Sequence, residues 1–182
     1  MPDEQIESRT ARANSFAGAH VLEILRERGW LAGEASPEHL AWCDRAAFLL
    51  GPQVTDRDAL ADLLQLVFYY DAPAILAKVE GHIVLSRYAA REVLRLFAAE
   101  LLDGGPLGSE RFSEIITAMK ARIEARGREM FHPIRLALTG RSGEGALDRV
   151  ILLLDDAAAL PFATSVKSAR TRVLDFCSHL DE

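Results

Sequence analysis

The residues best able to engage a partner are the bases, and they are bunched. Between positions 111 and 141 stand Arg111, Lys120, Arg122, Arg126, Arg128, Arg135 and Arg141 against Glu114, Glu124 and Glu129. Seven bases to three acids give a local charge of +4 in a chain whose formal net charge is −6. Clustered Lys and Arg neutralise phosphates, which supplies most of the affinity in nucleic-acid binders. A solvated helix face rich in arginine gives the same count, so the cluster marks where an anionic partner would meet the chain and leaves the partner open.

The other constellations point away from catalysis. The run "GRSGEG", Gly140 to Gly145, lacks the lysine a phosphate-gripping loop requires and reads as a helix-to-helix connection. His20, His39, His82, His132 and His179 have no close pair and no Cys or carboxylate at ligand spacing, so neither a metal site nor a cofactor is expected. No Ser or Cys sits in a recognisable nucleophile motif. In "FYYDAP", Tyr69 and Tyr70 could stack an unpaired base, although packing between helices is the commoner fate of such rings. Cys43 and Cys177 lie beside apolar residues at helical positions and read as two free thiols, which suits a reducing cytoplasm. The acidic start "MPDEQIESRTARANSF" and the absence of a long apolar run predict no signal peptide, no membrane span and a cytoplasmic protein.

The elements that must position these residues read as helices throughout. With 182 residues, 49% of them hydrophobic, the chain can bury a core without staples. Apolar residues recur at three- and four-residue spacing in nearly every long segment, which predicts an all-α fold of seven to nine helices. The first helix carries Phe16, Val21, Leu22 and Leu25 and ends at Gly29. The second opens with Ser36 as N-cap and Pro37 at its first position. The third begins at Thr55 and Asp58 in capping-box spacing and buries Leu60, Leu63, Leu64 and Val67. A weak helix to Val79 and a long one from about Val84 to Leu102 precede "DGGPLG". That break predicts a flexible tail over 1–14 and two helical subdomains, 15–103 and 109–182. In the second, Phe112, Ile115, Ile116, Met119 and Ile123 form an apolar stripe whose other face holds the bases. Two further helices are expected over about 146–154 and 165–180.

"FHPIRLALTG", residues 131–140, alternates like a strand, yet no second β-type run exists to pair with it. The reading is a short helix started by Pro133 and stopped by Gly140, with Ile134, Leu138 and Ala137 facing inward. Arg135 then sits on a mostly apolar turn and needs an acceptor.

This stretch resembles the Pro-Leu-Arg-x-Ala-Leu-Thr-Gly signature of the C-terminal, all-helical anticodon-binding half of bacterial glutamyl-tRNA synthetases. Pro133, Arg135, Ala137, Leu138, Thr139 and Gly140 match it, and the upstream helices keep that half's spacing over about residues 18–160. The His-Ile-Gly-His-type and Lys-Met-Ser-Lys-Ser-type motifs that hold ATP in the family's catalytic half are missing from the sequence. "SVKSA", residues 165–169, echoes the second only faintly. In "CDRAAFLLGPQV" Arg45 is kept, while Asp44, Gly51 and Gln53 stand where the family is often basic. The resemblance implies an anticodon-binding-like domain standing alone, with tRNA as partner through Arg45, Arg111, Lys120, Arg122, Arg126, Arg128 and Arg141 and no aminoacylation of its own. Pro133, Arg135, Thr139 and Gly140 are its structural signature. The alternative is a protein-interaction module on the same scaffold, with a protein partner in place of RNA.

Overall fold

The computed structural model describes residues 14–180, and the tail expected over 1–14 lies outside them except for Asn14, whose amide donates to Ala47 O. Among the described residues the secondary structure is helical, with eleven α-helices and one 3-10 turn, Gly51–Gln53. The helices are α1 Gly18–Glu27, α2 Pro37–Leu50, α3 Arg57–Phe68, α4 Ala72–Ala77, α5 Val79–Leu85, α6 Ala90–Leu102, α7 Ser109–Arg122, α8 Arg128–Thr139, α9 Ala146–Ile151, α10 Leu154–Ala158 and α11 Ala169–Leu180.

Local chemistry sets most of these ends. Ser36 Oγ accepts from His39 N and Pro37 occupies the first position of α2, as the sequence predicts. At α3 the cap is Asp56, which accepts from Ala59 N, and not Thr55. The carboxylate is the stronger acceptor for an unpaired helix N–H and sits where the helix dipole favours negative charge. The long helix expected from Val84 is two, α5 and α6, separated at Ser86–Ala89. Ser86 Oγ donates to Ile83 O, a local bond that competes with helix continuation. The extra short pieces, α4 with α5 and α9 with α10, take the helix number beyond the seven to nine expected.

The strand-like stretch over 131–139 belongs to α8, but Pro133 lies inside that helix and does not start it. Met130, Pro133, Ile134, Ala137 and Leu138 are all buried, so the inward stripe continues one turn N-terminal of the proline. Burying Met130 offsets the hydrogen bond that Pro133 cannot donate to the carbonyl of exposed Glu129. Gly140 ends the helix in the left-handed region at φ 83°, as expected. Gly127 starts it at φ 55°, ψ −127°, a conformation that favours glycine.

One apolar cluster joins α1, α2 and α3 to α6, α7, α8 and the C-terminal helices. A smaller one under α4 and α5 takes in Ile75, Val84, Leu94, Leu136 and Phe176. Within the first, Trp30 stacks on Phe68 at 4.6 Å, and Trp42 and Phe162 meet Phe68 edge-on. Trp42 Nε1 donates to Leu153 O, which ties α2 to the turn before α10.

At the centre lies an arginine. Arg172 of α11 is wholly buried and donates from Nη1 to Leu66 O and Leu138 O at 2.7 and 2.9 Å, from Nη2 to Val67 O, and from Nε to Lys167 O at 2.9 Å. Leu66 and Val67 close α3 and Leu138 closes α8, so one guanidinium satisfies the carbonyls left over at two helix ends. Tyr70 covers it, ring centroid 4.7 Å from the guanidinium carbon, and its hydroxyl donates to Ala137 O. Burial lowers the Arg172 pKa to about 10, which still leaves it charged at neutral pH.

Arg172→Ala should therefore destabilise the protein by about 3–5 kcal/mol, since it orphans buried carbonyls and opens a cavity. In a chain of this length that is a fall in Tm of roughly 10 °C by calorimetry. Arg172→Lys should not restore it, because a single ammonium cannot reach four carbonyls in fork geometry. A melting curve unchanged by either substitution would show that the carbonyls find other donors.

Candidate nucleic-acid interface

The seven clustered bases do not form one open face. Arg111, in the first turn of α7, donates from Nη2 to Glu100 O and Leu101 O at 2.9 and 3.2 Å and so caps α6. Arg126 lies beyond the end of α7 and donates to Lys120 O, Ile123 O and Ala125 O at 2.6–2.8 Å, closing that helix in the same way. Arg122 pairs with Glu100 at 3.3 Å. Arg135 makes a two-point pair with Asp148 of α9, Nε to Oδ1 at 2.8 Å and Nη2 to Oδ2 at 2.9 Å, above the ring of Phe131. Lys120, Arg128 and Arg141 are exposed, with side chains that make no hydrogen bond or ion pair among the described residues. Arg45, on α2, reaches only Asp156, in an exposed pair at 3.7 Å.

The rest of the signature acts on α8 itself. Thr139 Oγ1 donates to Arg135 O at 2.8 Å and accepts from Arg141 N at 3.2 Å, so it finishes the helix just before Gly140. A Cβ on Gly140 would lie 3.0 Å from Ile75, so a side chain there meets both strain and α4. Beyond it the "GRSGEG" loop is pinned inward by Glu80, which accepts from Ser142 N at 2.9 Å and Ser142 Oγ at 2.6 Å.

Two hollows flank α8. A groove of about 420 Å³ runs between α7 and α9, with Phe112, Thr117, Lys120, Phe131, Asp148 and Arg149 among its walls. Arg149 lies outside the segment counted in the sequence and is the base that reasoning missed; only the packing of the helices brings it to the groove that Lys120 lines. A smaller hollow of about 180 Å³ lies between the tyrosine turn and the end of α8, where Tyr69 is open to solvent beside Lys78 and Arg141. Tyr70 is committed to Ala137 and Arg172, and burial raises its pKa. The two neighbouring tyrosines thus have different fates. Among the described residues no three His, Cys, Asp or Glu side chains gather in a metal-holding group, and no helix is long and apolar enough to cross a membrane. Cys43 and Cys177 form no disulfide among the described residues, and burial pushes the Cys43 thiol up to about 12, which keeps it unreactive.

On the other side of α8, Arg87 Nη1 lies 2.7 Å from His132 Nδ1. A guanidinium can only donate, so the imidazole accepts and is neutral, with its proton on Nε2. Burial first, then the charges of Arg87, Arg135 and Arg128, hold the His132 pKa below its ordinary value. The unfolded chain therefore takes up this proton before the folded one, and stability falls as pH drops through about 6.5 toward the folded value. Thermal melts from about pH 8 to 5.5 should show that decline, and His132→Gln should flatten it; an identical slope in the variant would place the titration elsewhere.

No family model matches the chain, and no solved structure matches it. Curated proteins do. Glutamate–tRNA ligase 2 of Syntrophus aciditrophicus is 30% identical over 116 residues, covering 63% of this chain and 23% of the ligase. The glutamate–tRNA ligase of Exiguobacterium sibiricum is 26% identical over 133 residues, 73% of this chain and 27% of the ligase. That of Bacillus subtilis is 27% identical over 139 residues, 76% and 28%. The chain thus spans about a quarter of the length of these relatives, and over most of its own length it is related to that part of the bacterial glutamate–tRNA ligases.

Proposed function

We propose that the chain is a tRNA-binding module that holds RNA in the groove between α7 and α9, alone or beside a catalytic partner, and that it performs no aminoacylation itself. The observation that carries this reading is the convergence of Lys120 and Arg149 with Phe112 and Phe131 on one groove beside the Arg135–Asp148 pair. The side chains of Lys120 and Arg149 make no hydrogen bond or ion pair among the described residues and are open to phosphates. Phe112 and Phe131 give the groove apolar walls against which an unpaired base can lie. Arg135 braces two of the groove's walls, through its two-point pair with Asp148 and its contact with the Phe131 ring. The relatives are glutamate–tRNA ligases, which supports tRNA as the nucleic acid.

Electrophoretic shift with total tRNA across a salt series tests the binding. Affinity should fall steeply with salt, and Lys120→Glu with Arg149→Glu should lower the log–log salt slope by about two. Their exposure predicts little change in stability, about half a kcal/mol each. Binding that survives the double reversal would place the RNA elsewhere, and no tRNA affinity at low salt would sink the reading.

Absence of aminoacylation follows from what adenylate formation requires, a site that aligns ATP with the amino acid. The sequence contains neither of the family's ATP-holding motifs, and "GRSGEG" has no lysine and is tied down by Glu80. The purified chain should show no glutamate-dependent pyrophosphate exchange; measurable exchange would overturn this part. A second reading, a protein-interaction module on the same scaffold, has its own observation in the exposed apolar side chains of α5.

A further inference from the structure

Three large apolar side chains of α5 and its following turn are open to solvent, beside the exposed His82. Val79 is 73% exposed, Ile83 55% and Tyr88 104%. Val79 and Ile83 lie one turn apart on the outer side of α5, whose inner side is filled by Gly81 and Val84. Tyr88 follows in the turn that leads to α6. Single exposed apolar residues are ordinary, but three within ten residues mark a surface suited to contact.

The charges nearest them along the chain are mostly of one sign. The side chains of Lys78 and Arg95 make no hydrogen bond or ion pair among the described residues, and that of Arg91 makes only a long one, 3.4 Å to Leu180 O. Arg87 holds the neutral ring of His132, with Arg128 beside it. Of the acids in the same stretch, Glu80 is taken inward by Ser142, which leaves Glu92. In a chain of net charge −6 this is a local reversal.

We infer that this face docks an acidic amphipathic helix of a protein partner, with apolar side chains on Val79, Ile83 and Tyr88 and carboxylates toward Lys78, Arg91 and Arg95. Protein interfaces place apolar residues at the centre and enrich Tyr and Arg, which is the composition found here. RNA fits less well, because neither phosphates nor base edges gain from exposed Val and Ile. The inference does not depend on the RNA reading, since the groove between α7 and α9 uses other side chains.

A fluorescent helical peptide with Leu on one face and Glu on the other, titrated with the full chain and followed by anisotropy, tests it. Saturable binding is expected in about 50 mM salt and should weaken several-fold by about 300 mM. Val79→Asp with Ile83→Asp, and separately Arg91→Glu with Arg95→Glu, should each weaken it at least tenfold, and a peptide with Lys in place of Glu should not bind. Tyr88→Ala, at a fully exposed side chain, serves as an independent variant should a double substitution unfold the protein, and it too should weaken binding. No saturable binding of the Glu peptide, or equal affinity in every folded variant, overturns the inference. So does tRNA affinity that collapses on reversal of Arg91 and Arg95 while the Glu peptide fails to bind, which would give this face to RNA.

Discussion

The buried guanidinium of Arg172 is the constraint on which the arrangement of the helices depends. An isolated charge in an apolar interior is costly, and it is tolerated only where donors and acceptors are fully matched. Here the acceptors are carbonyls at the ends of α3 and α8 and in the chain entering α11, and the bonds to Val67 O and Leu138 O are buried, where a carbonyl without a donor is costly. The matching works in both directions. The helices must converge to solvate the cation, and the cation must be present for the helix ends to be buried. Tyr70 closes the site and ties the tyrosine turn to α8 through Ala137. The hollow beside Tyr69 and the signature end of α8 are therefore set by the same residue that packs the C-terminal helix.

The same logic explains why arginine is abundant where the sequence is most basic. A fold of short helices has many C-terminal ends, and each leaves carbonyls that favour a nearby cation. Arg111 serves α6 and Arg126 serves α7, as Arg172 serves α3 and α8. Such side chains keep their charge, but their donors are already committed to main-chain carbonyls. A charge count along the sequence cannot separate them from Lys120, Arg128, Arg141 and Arg149, because the acceptors are main-chain atoms of other helices. What remains for a partner is a smaller set of cations divided between the groove beside α9 and the surface near α5.

Legibility followed the range of the interaction that decides each feature. Ser36 with Pro37, and Gly140, were readable because a cap depends on neighbours within four residues. The choice of Asp56 over Thr55, and the break at Ser86–Ala89, turned on competition between adjacent polar groups that a spacing rule treats alike. Pro133 misled because a local rule for helix starts was outweighed by the burial of Met130 one turn earlier. Arg172 was present in the pattern, one residue before Val173 and at helical spacing from Ala169 and Phe176 on a buried stripe. Its partners, however, lie up to 106 residues away, and nothing in the sequence names them. The candidate groove was half legible: Lys120 and Phe112 through their helix, Arg149 only through the fold.

A net charge of −6 constrains how any anionic partner reaches these surfaces. Beyond a Debye length of about 8 Å at physiological salt the local cations are screened, and the approach is not steered by a broad positive field. Attraction of the two proposed partners then begins only at close range, at Lys120 with Arg149 for one and at Lys78 with Arg91 and Arg95 for the other. Under that condition charge raises affinity after contact more than it accelerates encounter, so discrimination rests on shape: the aromatic walls of the groove for one partner, the ridge of Val79, Ile83 and Tyr88 for the other. Both shapes depend in turn on α8, which the Arg172 carbonyl cluster holds at one end and the Arg135–Asp148 pair at its side.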